Sequence, residues 1–216
     1  LSGVFFIKQD TAGRKSLFIT VNNTLPLLAQ KRKDWNGLIS GFKASDLVFL
    51  DESGCNTDMT RRYAYSLGGS RAVDSAPLSK PKNTTILSSI QLDGTLRYTT
   101  FSGGTTEERF KRYLETDLLP HLNGNSVLIM DNMKSHHAKA VRNLLDSSGV
   151  RCIYLPPYSP DLNPIEKLWS KVKSFLRKFK ARTLDTLPNA IQCAFQTVSP
   201  SDCSGWFHSC GYSPYF

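Results

Sequence analysis

The sequence contains no apolar run approaching the ~20 residues of a membrane-spanning helix. Its one early apolar patch, Val4 to Ile7, is too short for the core of a signal peptide. It also lacks any C-x-x-C pair. The five cysteines (Cys55, Cys152, Cys193, Cys203, Cys210) are odd in number and, without an export signal, read as reduced thiols rather than a disulfide frame or a zinc site. There is no internal repeat and no low-complexity segment. Acid is scarce, with 18 Asp and Glu against 27 Lys and Arg, a net charge of +9. A chain of 216 residues with 40% hydrophobic content can bury a core of its own.

What is present is cationic. Such a balance suits a polyanion, usually nucleic acid, although an anionic membrane surface would serve. The charge collects at Lys31–Arg32–Lys33, Arg61–Arg62, Arg109 to Arg112 and Lys167 to Arg182. In the last cluster Lys167, Lys171, Lys173, Arg177, Lys178 and Lys180 meet almost no acid, which favours phosphate contact over a merely solvated helix face.

That cluster belongs to the most legible stretch of the chain, residues 152–179. A short strand, Cys152 to Leu155, leads into a loop stiffened by Pro156, Pro157, Pro160 and Pro164. Ile165, Leu168, Trp169, Val172, Phe175, Leu176 and Phe179 then recur at helical spacing. Asn163 suits the N-cap, Pro164 the first helical position, and Glu166 stands three residues after the cap. Taken alone, Glu166 has two readings: a capping-box glutamate reaching back to the Asn163 N–H, or a carboxylate held beside the core for a metal. Caps are the commoner.

Before it, Leu47 to Leu50 predict a strand buried on both faces and ending at Asp51. Phe18 to Val21 and Arg62 to Leu67 suggest further strands, and residues 84–101 a hairpin turning at Leu92–Asp93–Gly94–Thr95. A helix is expected from Thr105 or Thr106 to Leu119. Val127 to Met130 then repeat the earlier pattern, four apolar residues followed by Asp131. A helix over about His136 to Ser147, a strand over 150–155, the organising helix and a last helix over about Thr186 to Val198 complete a mixed α/β sheet; residues 204–216 read as an irregular aromatic tail.

Each aspartate alone is commonly a turn or cap residue. Together they matter more. In open α/β sheets the ligand crevice lies beyond the C-terminal strand ends, and two acids brought there need a cation between them. With Glu166, the set is three oxygen donors without His or Cys, which suits Mg²⁺ or Mn²⁺. Two such ions can activate a hydroxyl and stabilise the leaving oxygen of a phosphodiester.

Three motifs carry a resemblance: VFLDESG (48–54), LIMDNMKSHH (128–137) and LPPYSPDLNPIEKLWSKVK (155–173), with 34 residues between Asp131 and Glu166. They resemble the catalytic domain of DDE transposases, closest to bacterial insertion-sequence relatives of the mariner superfamily. The resemblance covers roughly residues 31–212 and is most specific in its third motif. It implies an RNase-H-like, retroviral-integrase-like sheet flanked by helices. It implies Asp51, Asp131 and Glu166 as catalytic metal ligands for Mg²⁺ or Mn²⁺, two ions in number. Double-stranded DNA, as transposon ends and target, is the implied partner, bound by a homodimer at the bacterial nucleoid in the cytoplasm. Arg61, Arg62, Lys167, Lys171, Lys173, Arg177 and Lys178 are the expected DNA-binding residues. Asn132, His137 and Asn163 lie within the motifs and are candidates to support the ligands from behind, against plain structural roles for Asn132 in a turn, His137 on a helix surface and Asn163 as the cap.

The expected organisation is a poorly defined segment over 1–30, the catalytic domain over 31–200 and a tail over 201–216. Residues 1–30 are too short and too broken for the helix-turn-helix reader of full transposases. Two alternatives accompany the transposase reading: a catalytically inactive, truncated DNA-binding remnant, or an RNase-H-like nuclease that only hydrolyses. An aspartyl-phosphate phosphatase is disfavoured, since Ser53 stands where its second aspartate would be.

Overall fold

The structure is a computed structural model, describing residues 6–9, 15–18, 25–61, 63–75, 77 and 81–212. The chain divides into two compact units, Leu1–Gly41 and Phe42–Phe216. In the first, β1 (Phe6–Gln9) pairs antiparallel with β2 (Lys15–Phe18), and α1 spans Leu25–Ile39. The strand expected from Phe18 meets β2 at its first residue; Ile19 to Val21 lie outside the described residues.

The second unit is built on five strands: β3 (Leu47–Asn56), β4 (Asn83–Ile90), β5 (Leu96–Ser102), β6 (Val127–Met130) and β7 (Arg151–Tyr154). Their order is β5-β4-β3-β6-β7, with β3, β6 and β7 parallel and the β4–β5 hairpin antiparallel. The hairpin turns at Gly94 (φ 91°), where a Cβ would stand 3.0 Å from the Cα of Pro200. Only glycine meets both demands there.

Helices cover both faces. On one, α2 (Glu107–Tyr113), capped by the Thr106 side chain, continues through a wider turn over Leu114–Leu118; α3 (Lys139–Ser148) ends at Gly149, φ 71°. Phe110, Tyr113, Leu114, Leu118, Val141 and Leu145 bury against Val48, Leu50, Leu87, Leu128 and Met130. On the other lie α4 (Ile165–Phe179), α5 (Leu187–Gln196) and α6 (Pro200–Ser209). Phe49 meets Phe207 edge-on at 5.3 Å and Tyr212 at 5.0 Å, and Tyr98 stacks on Phe195 at 3.9 Å. Burying each such ring stabilises the fold by about 1.5–3 kcal/mol.

Three expectations are corrected. Residues 63–67 form no strand: among the described residues no neighbouring strand takes up their hydrogen bonds, and Tyr63, Tyr65 and Leu67 stand fully in solvent. The stretch read as irregular from Ser204 is half helix. In α6, Ser199 and Asp202 form a reciprocal capping box with Pro200 at the first turn, and Cys203 and Phe207 are buried. Asn163 does not cap α4; Pro164 occupies that position without a side-chain cap, and Glu166 therefore has no capping partner.

Candidate active site

Strand register brings the two aspartates together. The parallel β3–β6 ladder runs from Leu47↔Val127 to Leu50↔Met130 and stops there. Asp51 and Asp131 are the next residues on each strand. Strand β3 does not end at Asp51 as its sequence suggests. It continues to Asn56, hydrogen-bonded only to β4, so its other side opens into a cleft beside Asp51. From β7 the chain passes Leu155, whose N–H donates to the Met130 carbonyl at 2.9 Å, and rounds the proline loop into α4. Glu166 lies in the first turn of that helix. Asp51, Asp131 and Glu166 line one cavity of about 330 Å³, together with Asn132 and Asn163.

The three acids differ in setting. Asp51 is 8% exposed and accepts a hydrogen bond from Trp169 Nε1 at 2.9 Å. Burial pushes its carboxyl up to about 7; the Trp169 bond opposes this, and the charges of Glu166 and Asp131 add to it. Glu166 is exposed at the rim. Its carboxyl is raised by desolvation, lowered by Lys173 and raised again by Asp131. Asp131 is half-exposed and held from two sides: the Met133 N–H donates to its Oδ1 at 3.1 Å, and His136 Nδ1 approaches the same oxygen at 2.9 Å.

His136 is fully buried, stacks on Phe110 at 4.4 Å, and faces Glu52 Oε1 with its Nε2 at 3.5 Å. That distance is an ion contact rather than a good hydrogen bond, and among the described residues neither atom has another partner. Burial disfavours the charged imidazole, but the hydrogen bond with Asp131 and the nearby Glu52 carboxylate outweigh it and hold the group up at about 9.

An oxygen-only set whose buried member resists ionisation fits a hard divalent cation. The positive charge would remove the mutual repulsion of the acids. Among the described residues, no three His, Cys, Asp or Glu side chains as they stand are drawn together tightly enough to hold an ion.

The expected supporting residues divide. Asn132 and His137 hydrogen-bond one another, and the His137 ring packs on Tyr154 at 4.3 Å. Asn163 is buried in the cavity wall, its Oδ1 without a hydrogen-bond partner among the described residues. His136, Glu52 and Trp169 carry no signal of a site role in the sequence: Trp169 fits the apolar face of α4, and of two adjacent histidines only the 3₁₀ turn at Lys134–His137 points the first at Asp131.

The expected DNA-binding residues do not form one face. Lys167, Lys171 and Lys178 line a groove between α4 and α6, whereas Lys173 and Arg177 line a cleft beside Cys55, Asn56 and Met59. Lys171 is engaged by Asp202 at 2.6 Å. Arg61 is exposed; Arg62 lies outside the described residues.

The sequence profile of the DDE superfamily endonucleases matches residues 46–188, well over half of the chain. The chain belongs to that family. The match bears out the resemblance read from the three motifs. Among relatives, the Transposable element Tc1 transposase of Caenorhabditis elegans is 28% identical over 97 residues, 43% of this chain and 36% of that protein. The pre-cleavage Mos1 transpososome superposes with a TM-score of 0.76 at 18% identity, over 94% of this chain and 64% of that one. The Mos1 mariner paired end complex with Mn gives 0.71 at 19%, over 97% and 68%. At such identity these similarities speak for the fold, which is RNase-H-like as expected. The chain spans about a third of the Tc1 protein and under two thirds of the Mos1 chain in the transpososome. No helix among the described residues is long and apolar enough to cross a membrane.

Proposed function

We propose that this chain carries the catalytic chemistry of DNA transposition, with Asp51, Asp131 and Glu166 as the residues that hold Mg²⁺ or Mn²⁺, two ions in all. The observation that carries the reading is the convergence of these three carboxylates on one cavity at the end of the parallel ladder. The Mn named with a Mos1 paired end complex agrees with the donor chemistry. When bound, the ions supply activation of a water or a 3′-hydroxyl and neutralisation of the leaving oxygen.

The chain's own residues do the positioning. Trp169 and the Glu52 backbone N–H orient the Asp51 carboxylate at the cavity. His136 and the Met133 N–H fix the Asp131 carboxylate. Glu166 stands on a rigid helix whose flanks carry Lys167 and Lys173, cations suited to phosphates on either side of the reacting one. The proposed sequence is hydrolysis at a transposon end, then attack of the freed 3′-OH on target DNA. The partner is double-stranded DNA, engaged by two copies of the chain at the bacterial nucleoid. The exposed Tyr63, Tyr65, Leu67 and Val73 offer apolar side chains to a second copy.

The test is nicking and strand transfer on short duplexes with Mg²⁺ or Mn²⁺, wild type against Glu166→Gln. Metal-dependent product lost in the variant is the expected result. Hydrolysis without joining of pre-cut ends would make the protein a nuclease. DNA binding with no product in either protein would make it an inactive remnant.

A further inference from the structure

Helices α4 and α6 enclose a groove of about 690 Å³ that opens onto the carboxylate cavity, because Pro160 and Glu166 line both. Its α4 wall is a single helical stripe. Lys167, Lys171, Ser174 and Lys178 lie at i, i+4, i+7 and i+11, a row of about 16 Å at 1.5 Å per residue. Lys167 and Lys178 make no ion pair among the described residues. Lys171 is tied to Asp202 at 2.6 Å and braces one helix against the other. Facing the stripe is Trp206 of α6, half-buried, with Phe175 nearby on α4.

Cations at both ends of a groove, a hydroxyl between them and aromatic rings in its walls make a combination suited to an unpaired nucleic-acid strand. Lysines meet phosphates, and an aromatic ring stacks on a base whatever its identity. A duplex hides its base faces and is too wide to lie between two packed helices. Nothing in the carboxylate chemistry needs Trp206, and a large aromatic half open to solvent beside lysines is otherwise an unused cost.

We propose that the α4–α6 groove holds the unpaired DNA strand leaving the scissile phosphate, with Trp206 stacked on one of its bases and Lys167 and Lys178 on its phosphates. The inference rests on the carboxylate cavity being the site of cleavage. It adds a single-stranded flank to the substrate and a residue that holds it by stacking on a base of any identity.

The experiment is metal-free binding of the full chain to a blunt duplex and to the same duplex carrying a short single-stranded DNA overhang. The first unpaired position carries 2-aminopurine. The overhang is expected to bind about tenfold tighter, the order that one stacked base supplies. Its salt slope should be steeper by roughly 1–1.5, for two lysines on a single strand. The 2-aminopurine fluorescence should be quenched on binding. Trp206→Ala should abolish the quench and the preference, while Trp206→Phe keeps part of both. Ser174→Glu, at an exposed position where folding is not at stake, should remove the preference by repelling the strand. Equal affinity for blunt and overhanging DNA would overturn the proposal, as would a preference that survives both Trp206→Ala and Ser174→Glu. Since no metal is added, such a failure leaves the carboxylate reading standing. Conversely, Asp51→Asn with unchanged cleavage would remove that reading while the overhang preference stays measurable.

Discussion

Two carboxylates pack against α4 and are treated in opposite ways. Asp202, at the start of α6, has its own cation in Lys171 and its own backbone and hydroxyl donors in Ser199; its carboxyl is held down at about 2. Asp51, on β3, has no cation beside it among the described residues, only the Trp169 indole and Glu52 backbone N–H groups and two neighbouring acids, and burial pushes it up to about 7. The first site is electrostatically complete within the chain. The second, on the proposed reading, is completed by a cation. A fold that pairs Asp202 with a cation and leaves the buried Asp51 without one among the described residues gives Asp51 the setting of a functional carboxylate.

The sharpest way to break this comparison is Asp51→Asn. The amide still accepts from Trp169 but cannot anchor a cation. Metal-dependent cleavage should fall by at least about 10²–10³-fold, as when a group acting directly on developing charge is lost. The same variant should melt higher than wild type in EDTA at pH 8, where wild-type Asp51 must be charged in a buried site. The shift should be roughly 2–4 °C for each kcal/mol of relieved repulsion. Adding Mg²⁺ should raise the melting temperature of wild type and not of the variant. A variant that stays active, or that melts lower without metal, would show Asp51 to be structural.

A smaller effect is expected at the support. Trp169→Phe keeps most of the packing and removes the donor to Asp51, so metal affinity measured by Mn²⁺ titration should weaken by about 10–100-fold. His136→Gln should act similarly through Asp131. The weakest effect belongs to the completed site. Asp202 has a folded value below its ordinary 3.8, so its contribution to stability is present above pH 4 and is lost as the pH falls through about 2. Its side chain is 27% exposed, which limits that contribution to the few tenths to about 1 kcal/mol of a surface pair. Acid melts of Asp202→Asn should differ from wild type above pH 4 and converge with it near pH 2.

The acids of the cavity were legible because each closes a strong local signal: four apolar residues before Asp51, four before Asp131, and a proline-led amphipathic helix around Glu166. Their supports were not. His136 and His137 are indistinguishable by spacing, and only the 3₁₀ turn decides which one is buried. Trp169 satisfies the apolar periodicity of α4 and hides a donor that matters across 118 residues of sequence. Helix α6 was readable in its Ser-Pro-Ser-Asp start, but Gly205 and a weak apolar stripe concealed it. Residues 63–67 erred the other way, because alternation without a neighbouring strand makes no sheet.

The segment between β3 and β4 is fastened at its two roots. Arg182 donates to the carbonyls of Thr57 and Met59, and Lys180 holds Asp74, while Tyr65 and Arg71 between them are in solvent. Beneath it, β3 and β4 pair through eight successive residues. Covalent continuity is therefore dispensable at that place. A single tryptic cut after Arg71 in the folded protein should yield two polypeptides that travel as one particle through a sizing column and part only in denaturant.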